Sequence, residues 1–273
     1  MENIARLGAA PRIRNGGALA SLATLMASAT YEFRMQIRRR SLWLVLGLLG
    51  AYMVWLEVDS RVGNGETAAG QAAGWVWLLQ VFLPVAFGVL LADRFPRDRK
   101  LRVDELLETS PAPMGTRLLG KYVGATAATL VPILATLAAG LGVLIAQDAD
   151  PGAVITTAIP AFLLVDLPGL LFVAAFSVCC PLIMPVPVYQ FLYVGYWFWG
   201  NLMPPEIMPT LRDTWLAPIG WQAGRGLFHL FEDTPGPIAT TADAVISISI
   251  LLLGAAAALV AGWVVLRFER TRG

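Results

Sequence analysis

Between Leu167 and Pro205 the sequence carries no Asp, Glu, Lys, Arg or His. A bilayer core takes about 20 mostly apolar residues per helix, so this tract is too long for one crossing. It must therefore turn back on itself. The prolines Pro181, Pro185 and Pro187 in "CCPLIMPVPVYQ" supply the place, because proline lacks the N–H that continues a helical ladder. One span is expected to end near Met184 and the next to cover Val186–Met203.

Four more apolar tracts are read directly: Ser41–Leu56, Ala72–Ala92, Tyr122–Ala146 and Ala244–Leu266, with the span before the proline turn beginning near Ile159. The first is short, but flanking arginines can snorkel to the interface. Composition agrees, with 57% hydrophobic and 14% charged residues, against about 25% charged in soluble domains. The expected fold class is an all-α polytopic membrane protein with six transmembrane helices.

Orientation follows from the basic residues. Seven Lys and Arg fall in residues 1–40, seven in 93–121 and three in the tail 267–273, leaving Arg61, Arg212 and Arg225 elsewhere. Six spans with both termini cytoplasmic place the first seventeen inside, in a bacterial or archaeal cell membrane. Trp55, Trp75, Trp77, Trp197 and Trp199 then fall near outer ends, and Trp43 and Trp263 near inner ends, as interfacial aromatics do. Spans three and six are rich in Ala and Gly, which permits close helix packing.

The amino-terminal segment imitates a signal peptide, but its apolar run is interrupted by Ser21, Thr24 and Ser28, and cleavage would leave Arg38, Arg39 and Arg40 near an outside terminus. The alternative is an amphipathic helix, with Leu22, Met26, Ala29, Phe33 and Ile37 on one face, lying on the inner membrane surface.

"GTRLLGKY", residues 115–122, has the glycine and lysine spacing of a phosphate loop. Tyr122 stands where Ser or Thr would hold magnesium, and the segment runs into a membrane span rather than following a buried strand. The chain itself is expected to bind no ATP and no other cofactor. One histidine, adjacent Cys179 and Cys180, and scattered Met184, Met203 and Met208 give no metal-ligand pattern. No catalytic residues and no nucleic-acid partner are expected.

The loop between spans two and three, 93–121, is dense in both charges, and "VDELLETSP" reads as a short amphipathic helix closed by Pro111 and Pro113. An arginine-rich start (Arg97, Arg99, Arg102), an acid followed by paired leucines (Glu105, Leu106, Leu107, then Glu108), Ser110-Pro111, and Gly120-Lys121 entering the next span together resemble the permease subunits of type-2 ABC exporters. The basic helix before span one is similar to that family's interfacial helix. The segment "MPTLRDTWLAPIGWQAGRGLFHLF" is similar to its re-entrant outer segment between spans five and six, although Gly220-Trp221 departs from the usual pattern. The resemblance implies a dimer of permease chains, identical or paired with a sister, docked on cytoplasmic ATPase subunits that hold ATP and magnesium. It further implies docking by Arg97, Arg99, Arg102, Glu105, Leu106, Leu107 and Glu108, and export of a substrate that the sequence does not name.

Inside the spans, Asp166 in "FLLVDLPGLLF" stands out. Asp at a span centre costs about 2.5–3.5 kcal/mol and each large apolar residue returns roughly 0.3–0.6. Eleven such residues between Ile159 and Phe176 let the span insert, but Asp166 must face the bundle, water or a partner. It is either a gate, ion-coupling or substrate-contact residue, or a structural hydrogen-bonding group, or lies nearer the interface. Tyr189, Tyr193 and Tyr196 share a helical face of span five, with Asn201 beyond them; this stripe is read either as packing or as the lining of a substrate path. The competing functions are an ion-coupled secondary transporter and a non-transporting membrane anchor for a partner complex.

Overall fold

The computed structural model describes residues 17–60, 67–100, 113–231 and 238–272. Among these every regular element is helical: α1 Gly17–Ile37, α2 Arg40–Ser60, α3 Ala68–Leu91, α4 Arg94–Lys100, α5 Met114–Ala146, α6 Pro151–Ala161, α7 Leu167–Cys179, α8 Val186–Trp197, α9 Trp221–Phe228 and α10 Thr241–Arg272. A π-helical turn, Phe162–Asp166, joins α6 to α7; a second, Phe198–Leu202, extends α8. Five segments are long and apolar enough to cross a membrane: Arg40–Val58, Ala68–Arg97, Met114–Ala146, Pro151–Leu182 and Thr241–Glu269. That composition is consistent with a multi-pass membrane protein. The tract read as span five forms a shorter helix, Val186–Trp197 plus its π-helical extension.

The proline turn lies where the sequence places it. A 3-10 turn, Cys180–Leu182, closes the first arm, and α8 starts at Val186 with Pro185 as its extended N-cap. Elsewhere helices outrun their apolar tracts. α5 begins at Met114, so the far end of the 93–121 loop is already helical, and α2 continues to Ser60, taking Glu57 into the bundle.

Side-chain pairs fix the directions. Gln190 Nε2 donates to Val89 O, Tyr193 Oη to Pro84 O and Trp197 Nε1 to Val81 O, so α8 runs antiparallel to α3. Tyr122 Oη donates to Leu171 O while Leu118 packs on Val178, so α5 and α7 are antiparallel. A Cβ on Gly254 would meet Phe172 and one on Gly262 would meet Cys179; α7 and α10 are therefore parallel. One end of this bundle gathers Arg39, Asp93, Arg94 and Lys121 and is called the basic end below.

Two expectations need correction. Trp75 and Trp197 are fully buried rather than interfacial. Their indole N–H groups donate to Leu137 O at 3.2 Å and Val81 O at 2.9 Å, which bolts α3 to α5 and α8. An indole on an apolar tract reads as a membrane belt, but a ring with a backbone carbonyl in reach serves equally well inside the core.

α1 also differs from a helix lying alone on a membrane surface by its apolar side. It runs parallel to the first half of α5, with Ser28 against Gly120, Glu32 against Lys121 and Gln36 against Thr129. The buried face is small and polar (Ala29, Glu32, Gln36), while Leu22 and Met26 are more than half exposed. The reason lies in α5. Gly120 and Gly124 recur one turn apart, and a side chain at Gly124 would overlap the Ala29 carbonyl. Only glycine lets the two backbones come so close.

Candidate functional site

Two places concentrate polar chemistry within the apolar bundle. The first is at the basic end, where the charged loop leaves α3 and returns through α5. Asp93, in the turn between α3 and α4, receives Nη1 and Nη2 of Arg39, Nη1 to Oδ1 at 3.0 Å and Nη2 to Oδ2 at 2.8 Å. This fork-on-fork geometry fixes orientation as well as distance. Arg94, with its side chain almost wholly buried, adds Nη2 to Asp93 Oδ1 at 2.9 Å.

At the returning side Lys121 Nζ lies 2.8 Å from Glu32 Oε1, with both side chains about 6% exposed, and 5.1 Å from the Phe95 ring. The loop is thus tied at its start to the arginine after α1 and at its end to α1 itself. Arg97 lies in α4, partly buried, with its backbone N–H on Asp93 O. Arg99 is in the same helix, but its side chain lies outside the described residues, as do Arg102, Glu105, Leu106, Leu107 and Glu108 in their entirety. Lys121, met in the sequence as the lysine of a failed phosphate loop, here serves as an internal cation.

The second place is the middle of the bundle around Asp166. This residue is 1% exposed, and neither carboxylate oxygen has a hydrogen-bond partner. It closes the π-helical turn, where the Leu167 N–H reaches back to Phe162 O. Pro168 follows, and its missing N–H interrupts the ladder again. Opposite, α3 carries Pro84 inside its helix and Gln80 on its buried face; Gln80 Nε2 donates to Pro218 O at 2.8 Å.

Pro218 belongs to a turn that reaches into the bundle from the segment after α8. Ala217 and Ile219 are buried, and Gly220 has φ +79° at the N-cap of α9. A Cβ on Gly220 would come within 2.6 Å of Val165 Cγ1, and one on Gly169 would overlap Pro218 O. Glycine at 220 is required twice, by the left-handed backbone and by the close approach. Trp221 then packs on Trp77 and Phe231, with ring centroids 4.8 and 5.3 Å away, and Arg212 lies over its ring at 4.5 Å.

The stripe on α8 is engaged by neighbouring helices. Tyr189 and Tyr193 are buried and stacked at 5.8 Å, and Tyr189 Oη is 2.8 Å from Ser177 Oγ. Tyr193 meets Pro84 O at 2.5 Å and Gly88 leaves room for its ring. Trp197, one turn further, completes this face; Tyr196 sits beside it, half-buried, next to Gly200. Asn201 is buried with Nδ2 on Trp197 O at 3.1 Å, while Oδ1 has no partner.

Sequence reading missed Glu57, which is wholly buried in α2 with both carboxylate oxygens unpartnered. It stands just beyond the apolar tract, so only the helix's continuation to Ser60 reveals its burial. Among the described residues no group of three His, Cys, Asp or Glu could hold a metal ion. The sequence matches no protein-family model, and no curated protein is significantly similar to it.

Proposed function

We propose that this chain is the membrane-spanning subunit of a transporter moved by a separate cytoplasmic ATPase. In this reading six helices cross the membrane, α2, α3, α5, α6–α7, α8 and α10, with the basic end inside. The α8 crossing is short and is completed by its π-helical extension. The antiparallel α3–α8 pair and the parallel α7–α10 pair support that count, because they need one further change of direction between the two arms. The Ala217–Trp221 turn is then a re-entrant segment entered from the outside.

The observation that carries the reading is the double tether of the 93–121 loop. Displacement of the loop by a docked partner cannot move α3 or α5 alone. Through Asp93–Arg39 and Lys121–Glu32 it also moves α1, and α1 is packed along α5. A loop merely satisfying the positive-inside rule needs no such anchorage. The partner supplies ATP, magnesium and the hydrolytic chemistry; the docking residues are Arg97, Arg99, Arg102, Glu105, Leu106, Leu107 and Glu108, and a second permease chain completes the assembly.

The test is affinity purification of the chain from its own membranes, followed by an ATPase assay in lipid nanodiscs. An ATPase bearing a complete phosphate loop should co-purify, and its activity should respond to the chain. Recovery of the chain without such a partner, together with uptake driven by an imposed proton gradient alone, would favour an ion-coupled transporter. The unpartnered Asp166 is the observation behind that second reading.

A further inference from the structure

A carboxylate in a membrane bundle is held by counter-charges, by hydrogen-bond donors or by water; failing these, it is held as the neutral acid. Asp166 has no hydrogen-bond donor and no counter-charge among the described residues. α3, packed against it, contains no ionisable side chain, and neither does α6. The ionisable group of α7 is Cys179, more than three turns away. On α9, Arg225 lies 5.2 Å from the Trp221 ring centroid, and on α10 Asp243 accepts from Trp215 Nε1 and from Thr240. No described cation is within ion-pair distance of Asp166. Gln80 Nε2, which lies against Gly169, donates to Pro218 O at 2.8 Å.

Burial alone would suit a structural acid. The group that covers it, however, is an irregular turn rather than another helix. The Pro218–Gly220 turn touches the helix just before Asp166 and one turn after it: Gly220 lies against Val165, and Pro218 O against Gly169. Both contacts depend on glycine, while the turn itself is held by Ala217 and Ile219 packing with Val81 and by the Gln80–Pro218 hydrogen bond. The helix it covers carries the π-helical turn and Pro168, and α3 carries Pro84; each proline removes one rung of the hydrogen-bond ladder while the helix continues. Irregular backbone at the depth of a membrane bundle is found where it is buried in protein or lines a cavity, and an ionisable residue beside it marks a functional site.

We propose that Asp166 is a proton-binding site, closed in this arrangement by the Pro218–Gly220 turn. With the turn seated, the carboxyl holds its proton. With the turn displaced, water reaches the group, the O–H bond breaks, the proton passes to that water and the carboxylate is hydrated. The chemical class of ligand is H⁺, and the inference stands apart from the ATPase reading, since it concerns this carboxyl and this turn.

Infrared spectroscopy of the full chain in lipid bilayers tests it. Protein labelled with ¹³C at the aspartate side-chain carboxyl should show, at neutral pH, a protonated-carboxyl stretch displaced relative to unlabelled protein. Glutamate labelling would not move that band, which separates Asp166 from buried Glu57. D166N should remove the band. Transfer to D₂O should shift it slowly in the wild-type chain, whereas G220A, whose added methyl collides with Val165, should make exchange complete within the mixing time. Absence of a protonated aspartate band at neutral pH overturns the proposal. So does exchange that is immediate in both proteins, because the turn then seals nothing. The aspartate labelling needs no substitution, so the assignment survives a D166N chain that fails to accumulate.

Discussion

Lys121→Met removes the cation from the pair that anchors the returning end of the charged loop. The pair is short, 2.8 Å, and both side chains are about 6% exposed, so bulk water does not screen it. Truncating one member of a buried pair costs about 3–5 kcal/mol, most of it from stranding the other charge. At about 1.4 kcal/mol per factor of ten, that lowers the folded-to-unfolded ratio by roughly a hundred- to a few-thousandfold. The same reasoning gives the opposite result for the double change. E32L/K121M replaces both charges by apolar side chains of similar reach between the same two helices, and such replacements are near neutral or stabilising. Unfolding in mixed micelles by increasing fractions of SDS, followed by tryptophan fluorescence, gives the free-energy differences. Hydrogen exchange on α1 shows whether the loss is local to that helix. A single change costing less than about 1 kcal/mol, the value of a solvated pair, would refute the tether. So would a double variant as unstable as the single one.

Further expectations follow from the proposed function and from other contacts of the bundle. L106D/L107D should abolish partner-stimulated ATPase activity while leaving the chain inserted, as seen in paired activity and membrane-fraction assays. D166N, a neutral isostere, should accumulate normally and lose transport; unchanged transport would make Asp166 structural. Y193F should cost about 0.5–1.5 kcal/mol, the worth of one hydrogen bond, in the micelle unfolding assay and leave transport rates intact, because the hydroxyl is committed to Pro84 O. G140V should destabilise by about 1–3 kcal/mol through overpacking, since its side chain occupies the space of the Trp75 ring.

The sequence exposed what depends on long-range composition and hid what depends on the pairing of helices. Apolar tract lengths marked the helices, and the prolines of "CCPLIMPVPVYQ" placed the turn before Val186, because a missing N–H acts locally whatever the tertiary fold. Asp166 was conspicuous because a charge among leucines is costly anywhere. The orientation of α1 was not legible. Its apolar residues mark a face, but which face is inward was decided by Gly120 and Gly124 on a helix almost a hundred residues later. The roles of Trp75 and Trp197 depended likewise on which carbonyls lay across from them. Lys121 could be named only as a motif residue until Glu32 was seen opposite, and Glu57 fell outside its tract because helix ends run on past the last apolar residue.

Sidedness of three positions decides whether a push delivered to the 93–121 loop comes from the cytoplasm. In a chain carrying C179A and C180A, single cysteines are introduced at Leu106, Ile207 and Gly273, and intact cells are treated with a membrane-impermeant maleimide before and after permeabilisation. Ile207 should label at once, and Leu106 and Gly273 only after permeabilisation. Labelling of Leu106 in intact cells, or of Gly273 there as an odd number of crossings would require, would contradict the account.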